Sequence, residues 1–267
     1  MDINKFMLQP GENPLDNILP DGGLCGIFRT VGCIGDSLSS GEFESENENG
    51  TRGYHDCFEY SWGQYIARAA GLKAYNFSRG GMTAKEYWNS FAQDNGFWDT
   101  DKLCQAYIIA LGANDVCSPL PLGTTADVDL EDYNNNAESF AGYYCKIIQR
   151  LKQMQPKARF FLMTMPRNEQ PETDDGVQRR SAHAALIREL AQLFSFTYVL
   201  DFEKYAPVYD AQFRRNFYLG GHLNPAGYLL TAKMTASYID YIIRNNPRDF
   251  AQVCFIGTPL FNNTENF

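Results

Sequence analysis

Histidine is scarce in this chain, with only His55, His183 and His222, so any imidazole chemistry must sit at one of three places. The cysteines (25, 33, 57, 104, 117, 145 and 254) form no Cys-x-x-Cys pair, and with so few histidines beside them neither a zinc site nor a disulfide framework is expected. Several lie inside apolar runs, as free thiols do in a reducing compartment. No apolar run approaches the roughly 20 residues of a membrane span. No basic cluster interrupts a formal charge of −9, and that acidity repels phosphate backbones and anionic bilayers. The expectations are therefore no metal, no nucleic-acid partner and no membrane partner. Asp2, Asn4 and Pro10 stand where a signal peptide needs a basic region and a continuous apolar stretch, which makes a cytoplasmic location the expected one.

What is present is an ordinary globular balance, 44% hydrophobic and 21% charged over 267 residues, enough chain for a sizeable core. Short β-like runs alternate with amphipathic stretches: strands at 27–34, 73–77, 106–111, 158–164 and 197–202, and helices near 59–71, 83–93, 131–154, 177–195 and 225–245. Five strands separated by helices predict right-handed crossovers and a parallel sheet covered on both faces, a three-layer α/β/α sandwich. Pro156 stops the helix before the fourth strand, and Pro225 presets φ at the first turn of the last helix. No linker or repeat divides the sequence, so one domain over 1–267 is expected, with an irregular leader at 1–24 and a C-terminal extension at 247–267. Within that extension Val253-Cys254-Phe255-Ile256-Gly257-Thr258 reads as a short strand or a packing arm. The polar insertions 42–57, 116–130 and 165–176 follow strands 1, 3 and 4, and such loops gather at the carboxyl edge of a parallel sheet, where ligands bind.

Chemistry-bearing residues fall on those loops. Ser37, in Gly35-Asp36-Ser37-Leu38, follows the first strand directly, and Gly35 permits the tight turn that exposes a nucleophile, although Gly-Asp-Ser is also an ordinary helix-cap sequence. Asn114, in Gly112-Ala113-Asn114-Asp115, carries an amide able to donate to an oxyanion at any working pH, or else simply makes an Asx-turn. Gly80-Gly81 after the second strand can bring a backbone N–H to the same place, or can serve only as a turn. Among the histidines, His183 lies in an amphipathic helical pattern and His55 in a polar loop. His222, on the loop before the last helix, remains as the base, with an unperturbed pKa suited to accepting and returning a proton.

Taken together, Gly35-Asp36-Ser37-Leu38, Gly81 with Asn76 ahead of it, Gly112-Ala113-Asn114-Asp115 and His222 occur in the order and loop context of the SGNH, or GDSL-type, hydrolases, which this chain resembles over roughly residues 27–245. The resemblance implies a flavodoxin-like fold with a five-stranded parallel sheet and no cofactor. It further implies Ser37 as nucleophile, His222 as base, and an oxyanion hole from the Ser37 amide, the Gly81 amide and the Asn114 side chain. Gly80 takes the place of Gly81 if the loop is shifted by one, and Asp36, Asp115 and Asp201 are supporting candidates. One position departs from the pattern: three residues before the histidine, where the family usually has aspartate, stands Leu219. A backbone carbonyl near 219–220 can hold the imidazole instead, or an acid from elsewhere can reach it, with Asp201, Glu203 and Asp210 nearest in sequence. Otherwise the protein is a relative that binds without turnover.

The family's substrates are acyl esters. Residues 42–57 are acidic and polar, with Glu42, Glu44, Glu46 and Glu48, a poor surface for docking on lipid. A short-chain (acetyl) ester on a carbohydrate or other polar scaffold is therefore the expected substrate, with a lipase or lysophospholipase as the alternative. A flavodoxin-like flavin or nucleotide binder would share the fold, but the acids after strand 1 repel phosphate. Tyr54, Trp62, Trp88 and Trp98 are available either to stack on sugar rings or to pack in the core.

Overall fold

A computed structural model describes residues 3–169 and 175–261. Positions 1–2 of the expected leader, 170–174 of the third insertion and 262–267 of the extension lie outside them. The strands, in chain order, are β1 (Thr30–Gly35), β2 (Glu42–Glu46), β3 (Arg52–Asp56), β4 (Lys73–Ser78), β5 (Ala106–Ala110), β6 (Arg159–Met163), β7 (Thr197–Leu200), β8 (Tyr218–Leu219) and β9 (His222–Leu223). The main sheet has five strands in the order β4-β1-β5-β6-β7, and all its pairings are parallel. This is the expected α/β/α sandwich. The chain leaves β1, pairs β4 on one side, then crosses to place β5 on the other, so the order of the strands reverses at β1. Open parallel sheets bind ligands at such a reversal, outside the carboxyl ends of the strands.

Alternation along the strands feeds two cores, one on each face. Phe161 and Met163 join Trp62, Phe28 and the long helix Pro225–Asn245 on one side. Their neighbours Phe160 and Leu162 join Phe140, Tyr144 and Ile147 of helix Phe140–Met154, and Ile187 and Leu190 of helix Asp175–Ala191, on the other. Trp62 and Trp98 are buried here as packing residues.

Three sequence expectations change. The helix expected from 131 begins at Phe140, because a separate turn occupies Tyr133–Asn135 and the Ser139 hydroxyl caps the new start by accepting the Gly142 N–H at 3.2 Å. The polar insertion 42–57 is an antiparallel hairpin of β2 and β3, in register Glu44↔Tyr54, with Phe43 packed 5.1 Å from the Tyr228 ring. In the extension, Val253–Phe255 is a 3-10 turn with Val253 and Ile256 buried, a packing arm with no strand.

The leader is tied down by charge. Both Glu12 oxygens face Arg244, at 2.6 and 3.0 Å, while Arg244 Nε meets Asp240 at 2.7 Å, and all three side chains are about nine-tenths buried. Arg244 holds the Glu12 carboxyl down to about 2, well below the usual carboxylate value. Removing the cation would leave two shielded carboxylates facing each other. Arg244→Met should therefore lower unfolding stability by about 1–3 kcal/mol at pH 7, as read by urea titration. The Glu12 contribution is present above its unfolded pKa of 4.5 and fades as pH falls toward 2, so the deficit of the variant should shrink on acidification. A deficit independent of pH would contradict this account.

Candidate active site

Three of the loops that carry candidate residues leave adjacent strands. β1 ends at Gly35, β4 at Ser78 and β5 at Ala110, and these strands are neighbours at the carboxyl edge. Spacing between paired strands is roughly 4.8 Å, so the Ser37 turn, the Gly81 turn and the Asn114 loop are drawn together by the sheet itself. His222 comes from the β8–β9 hairpin, which packs against the Ser37 turn and β2.

Ser37 opens a single helical turn, Ser37–Ser40. Asp36 caps it, its carboxylate accepting the Leu38 N–H at 3.0 Å. The cap reading and the nucleophile reading of Gly-Asp-Ser thus belong to different residues: Asp36 is the cap, and Ser37 stands at the first position, where N–H groups are left over. The far end closes on Gly41 at φ 77°. Asp36 is fully buried with its second oxygen unpartnered among the described residues, and burial pushes its carboxyl up to about 7.

The oxyanion candidates meet through Met82. Gly81 adopts φ 72°, the left-handed turn position that glycine takes without strain. Met82 then follows, and its carbonyl accepts the Asn114 side-chain amide at 3.1 Å. One amide hydrogen of Asn114 is spent on this bond and the other remains to donate. Asp115 ties the same two loops together by accepting the Ala84 N–H at 3.0 Å. It is buried, with its carboxyl pushed up to about 6 by the loss of water. Asp115 thus supports the site through the backbone. His183, packed 4.9 Å from the Phe140 ring and fully buried, is a core residue, while His55 is exposed and bonds Ser45.

The imidazole of His222 is gripped at both nitrogens by carboxylates of β2. Glu44 Oε1 lies 2.8 Å from Nδ1, and Glu42 Oε1 lies 3.1 Å from Nε2. The Tyr54 ring meets the imidazole edge at 5.9 Å. His222 lowers the Glu44 carboxyl below its usual value, whereas burial raises that of Glu42. A Cβ on Gly80 would stand 2.2 Å from Glu42 Oε2, so the room for Glu42 depends on the bare backbone at that position.

Asp201 does not reach this site. Its two oxygens take Arg188 Nε and Nη2, each at 2.8 Å, and it caps the turn Phe202–Tyr205. Glu203 pairs with the same arginine and Asp210 caps helix Ala211–Phe217. The acid beside His222 does come from elsewhere in the chain, but from the hairpin after β1. The alternation Glu42-Phe43-Glu44-Ser45-Glu46 puts the glutamates on one face of a strand but does not say which of them is buried.

A model of the GDSL-like Lipase/Acylhydrolase family matches residues 33–230. The chain belongs to that family. No curated protein matches it. Among solved structures, a Lactobacillus plantarum protein is similar at TM-score 0.60 and 16% identity, covering 80% of this chain and 97% of that one. A family two carbohydrate esterase from Clostridium thermocellum, in complex with cellohexaose, is similar at TM-score 0.56 and 16% identity, over 82% of this chain and 64% of that one. A family 2 carbohydrate esterase from Corynascus thermopiles (Myceliophthora fergusii) follows at TM-score 0.54 and 17% identity, over 78% and 64%. At these identities the likeness is one of fold. The GDSL match runs from β1 into the last helix and spans Ser37, Gly81, Asn114 and His222.

A buried acid with a raised pKa costs stability as pH rises. Asp36 holds its proton in the folded chain up to about 7 but loses it near 3.8 when unfolded, so the folded state loses ground across that interval as pH increases. Asn at this position keeps the capping oxygen without the charge. The melting temperature of Asp36→Asn relative to the parent should therefore rise between pH 5 and pH 8.5, in paired calorimetric scans. A constant or falling difference would contradict the burial argument.

Proposed function

We propose that the protein is a serine esterase that removes a short acyl group, acetyl foremost, from a carbohydrate or similarly polar scaffold. The observation that carries this reading is the meeting of the Ser37 turn, the Gly81 turn, the Asn114 loop and the His222 hairpin at one edge of the sheet. The acidic β2–β3 hairpin beside His222 favours a polar scaffold over a lipid. An apolar cavity of about 70 Å³ lies behind this edge, lined by Asp36, Leu38, Ala113 and Leu223 but not by Ser37, Gly81, Asn114 or His222. It shares Met165 and Pro166 with a cleft of about 750 Å³ whose lining mixes Arg167, Asn168, Arg180 and Lys204 with Val177 and Val208. Tyr54, 57% exposed beside His222, offers a ring face.

In this reading Ser37 Oγ attacks the ester carbonyl as its proton passes to His222 Nε2. The oxyanion so formed is received by the Ser37 and Gly81 N–H groups and the free hydrogen of the Asn114 amide. The C–O bond to the alcohol then breaks, and His222 returns the proton to the departing oxygen. Water, deprotonated by His222, adds to the acyl-serine, and collapse releases the carboxylic acid and restores Ser37. Nε2 serves both proton transfers, so Glu42 must leave that nitrogen when substrate enters.

Hydrolysis of p-nitrophenyl esters from acetate to palmitate should peak at acetate, and an acetylated oligosaccharide should release acetic acid. Maximal kcat/KM at long chains would instead favour a lipase. Ser37→Ala should lose nearly all turnover and all labelling by an organophosphonate. Absence of labelling in the folded parent protein would indicate a binding protein. Asn114→Ala should lose on the order of 10² to 10³ in kcat while keeping its fold, and full retention of activity would remove Asn114 from the oxyanion hole.

A further inference from the structure

Position 219 holds no acid, and Leu219 is 49% exposed on its short hairpin. The Nδ1 side of His222 is nevertheless occupied. We propose that Glu44, delivered by the β2–β3 hairpin, is the positioning residue that fixes the His222 imidazole for proton transfer, and that Gly220-Gly221 is the seat made for it. This rests on the reading of His222 as the base.

The seat is fitted to the head group of Glu44. A Cβ on Gly220 would stand 1.9 Å from Glu44 Oε2, and one on Gly221 would stand 3.0 Å from Oε1. The φ of 66° at Gly220 already favours glycine, and the carboxylate fills the space that the absent side chains leave. The Gly221 N–H donates to Glu44 Oε1 at 2.6 Å, and Arg52 Nη1 approaches Oε2 at 3.4 Å. A carboxylate with a backbone donor, a cation and an imidazole around it, its side chain only 5% exposed, has little freedom to leave. Phe43 holds the strand in register from the opposite face, against Tyr228 and against Tyr60 at 6.0 Å.

The strand's alternation brings two carboxylates to one ring, and their surroundings separate their roles. Glu42 occupies Nε2, the nitrogen that serves Ser37, and burial makes its ionised form less favourable. Glu44 occupies Nδ1, which serves no reacting atom. There it fixes the tautomer with the proton on Nδ1 and the lone pair on Nε2, and supports the imidazolium once the serine proton has arrived. Glu46, the third acid of the alternation, is exposed and pairs with Arg52 at 3.5 Å, which makes it an internal control. The charged and titratable groups around the imidazole are Glu42 and Glu44 of β2, Arg52 and Tyr54 of β3, and Asp36 acting through space from the Ser37 turn.

Two readouts test the assignment. In steady-state kinetics on p-nitrophenyl acetate, Glu44→Gln should lower kcat on the order of 10³ to 10⁴ with KM nearly unchanged, and Glu46→Gln should leave both near the parent values. In proton NMR, a downfield His222 Nδ1–H resonance should be present in the parent and in Ser37→Ala, and absent from Glu44→Gln. A kcat loss below about tenfold, or survival of the resonance in Glu44→Gln, overturns the proposal. A measurement that leaves Glu44 in place guards against misfolding of the variant: in His222→Ala the Glu44 carboxyl should titrate at higher pH than in the parent, and an unchanged titration overturns the pairing. If the resonance depends on Glu44 but no ester is cleaved, the esterase reading fails while the pairing stands.

Discussion

The position of β1 between β4 and β5 is the constraint from which the site follows. Interstrand spacing and parallel direction leave the chain no choice about where Gly35, Ser78 and Ala110 end, and each hands its loop to the same edge. Short loops then suffice: one residue separates β1 from Ser37, and two separate β4 from Gly81. The price of the tightness is electrostatic. Asp36 caps its own turn and Asp115 ties the Asn114 loop to the loop after β4, each through a backbone N–H, and both lose their water in doing so.

The imidazole arrives from the other end of the sequence and has to be held independently of the sheet. The Tyr228 hydroxyl lies 2.7 Å from the Glu42 carbonyl and donates to it, tying the last helix to β2. The β8–β9 hairpin supplies the ring, and β2 supplies the carboxylates that grip it. The hairpin after the Ser37 turn is therefore part of the proposed site's framework, where a connecting loop alone would have left His222 without an acid.

The sheet was legible in the sequence because its strands are apolar runs bounded by glycine, proline and amphipathic helices, and both faces are buried. Ser37, Gly81, Asn114 and His222 could be proposed from the sequence because each sits where a strand or a helix boundary makes loop chemistry easy to see. Glu44 was not, for a physical reason. A strand whose outward residues are all glutamate has the pattern of a solvated surface, and nothing local distinguishes Glu44, seated against Gly221, from Glu46, which faces water. The pairing joins residues 178 positions apart, and only the folded arrangement reveals it. Asp201 misled in the opposite way. It follows a strand at the correct edge, as a supporting acid should, but Arg188 from the preceding helix neutralises it. The start of helix Phe140–Met154 was displaced by a cap, since a separate turn closes at Asn136 and Ser139 then opens the helix by accepting the Gly142 N–H.

The leader's attachment to the last helix has a consequence for how the molecule is made. The Leu19 N–H donates to Ser237, the Leu24 N–H donates to Asp240, and Glu12 binds Arg244. On the ribosome the segment that holds Glu12, Leu19 and Leu24 emerges before any of these partners has been synthesised. At roughly 5 to 20 residues per second, the wait lasts on the order of ten seconds or more. During that time the segment must stay unpaired without aggregating, and its wealth of proline, glycine, asparagine and aspartate keeps it from forming the sticky strands that would be hazardous. The segment ahead of β1 can be finished only after the last helix exists.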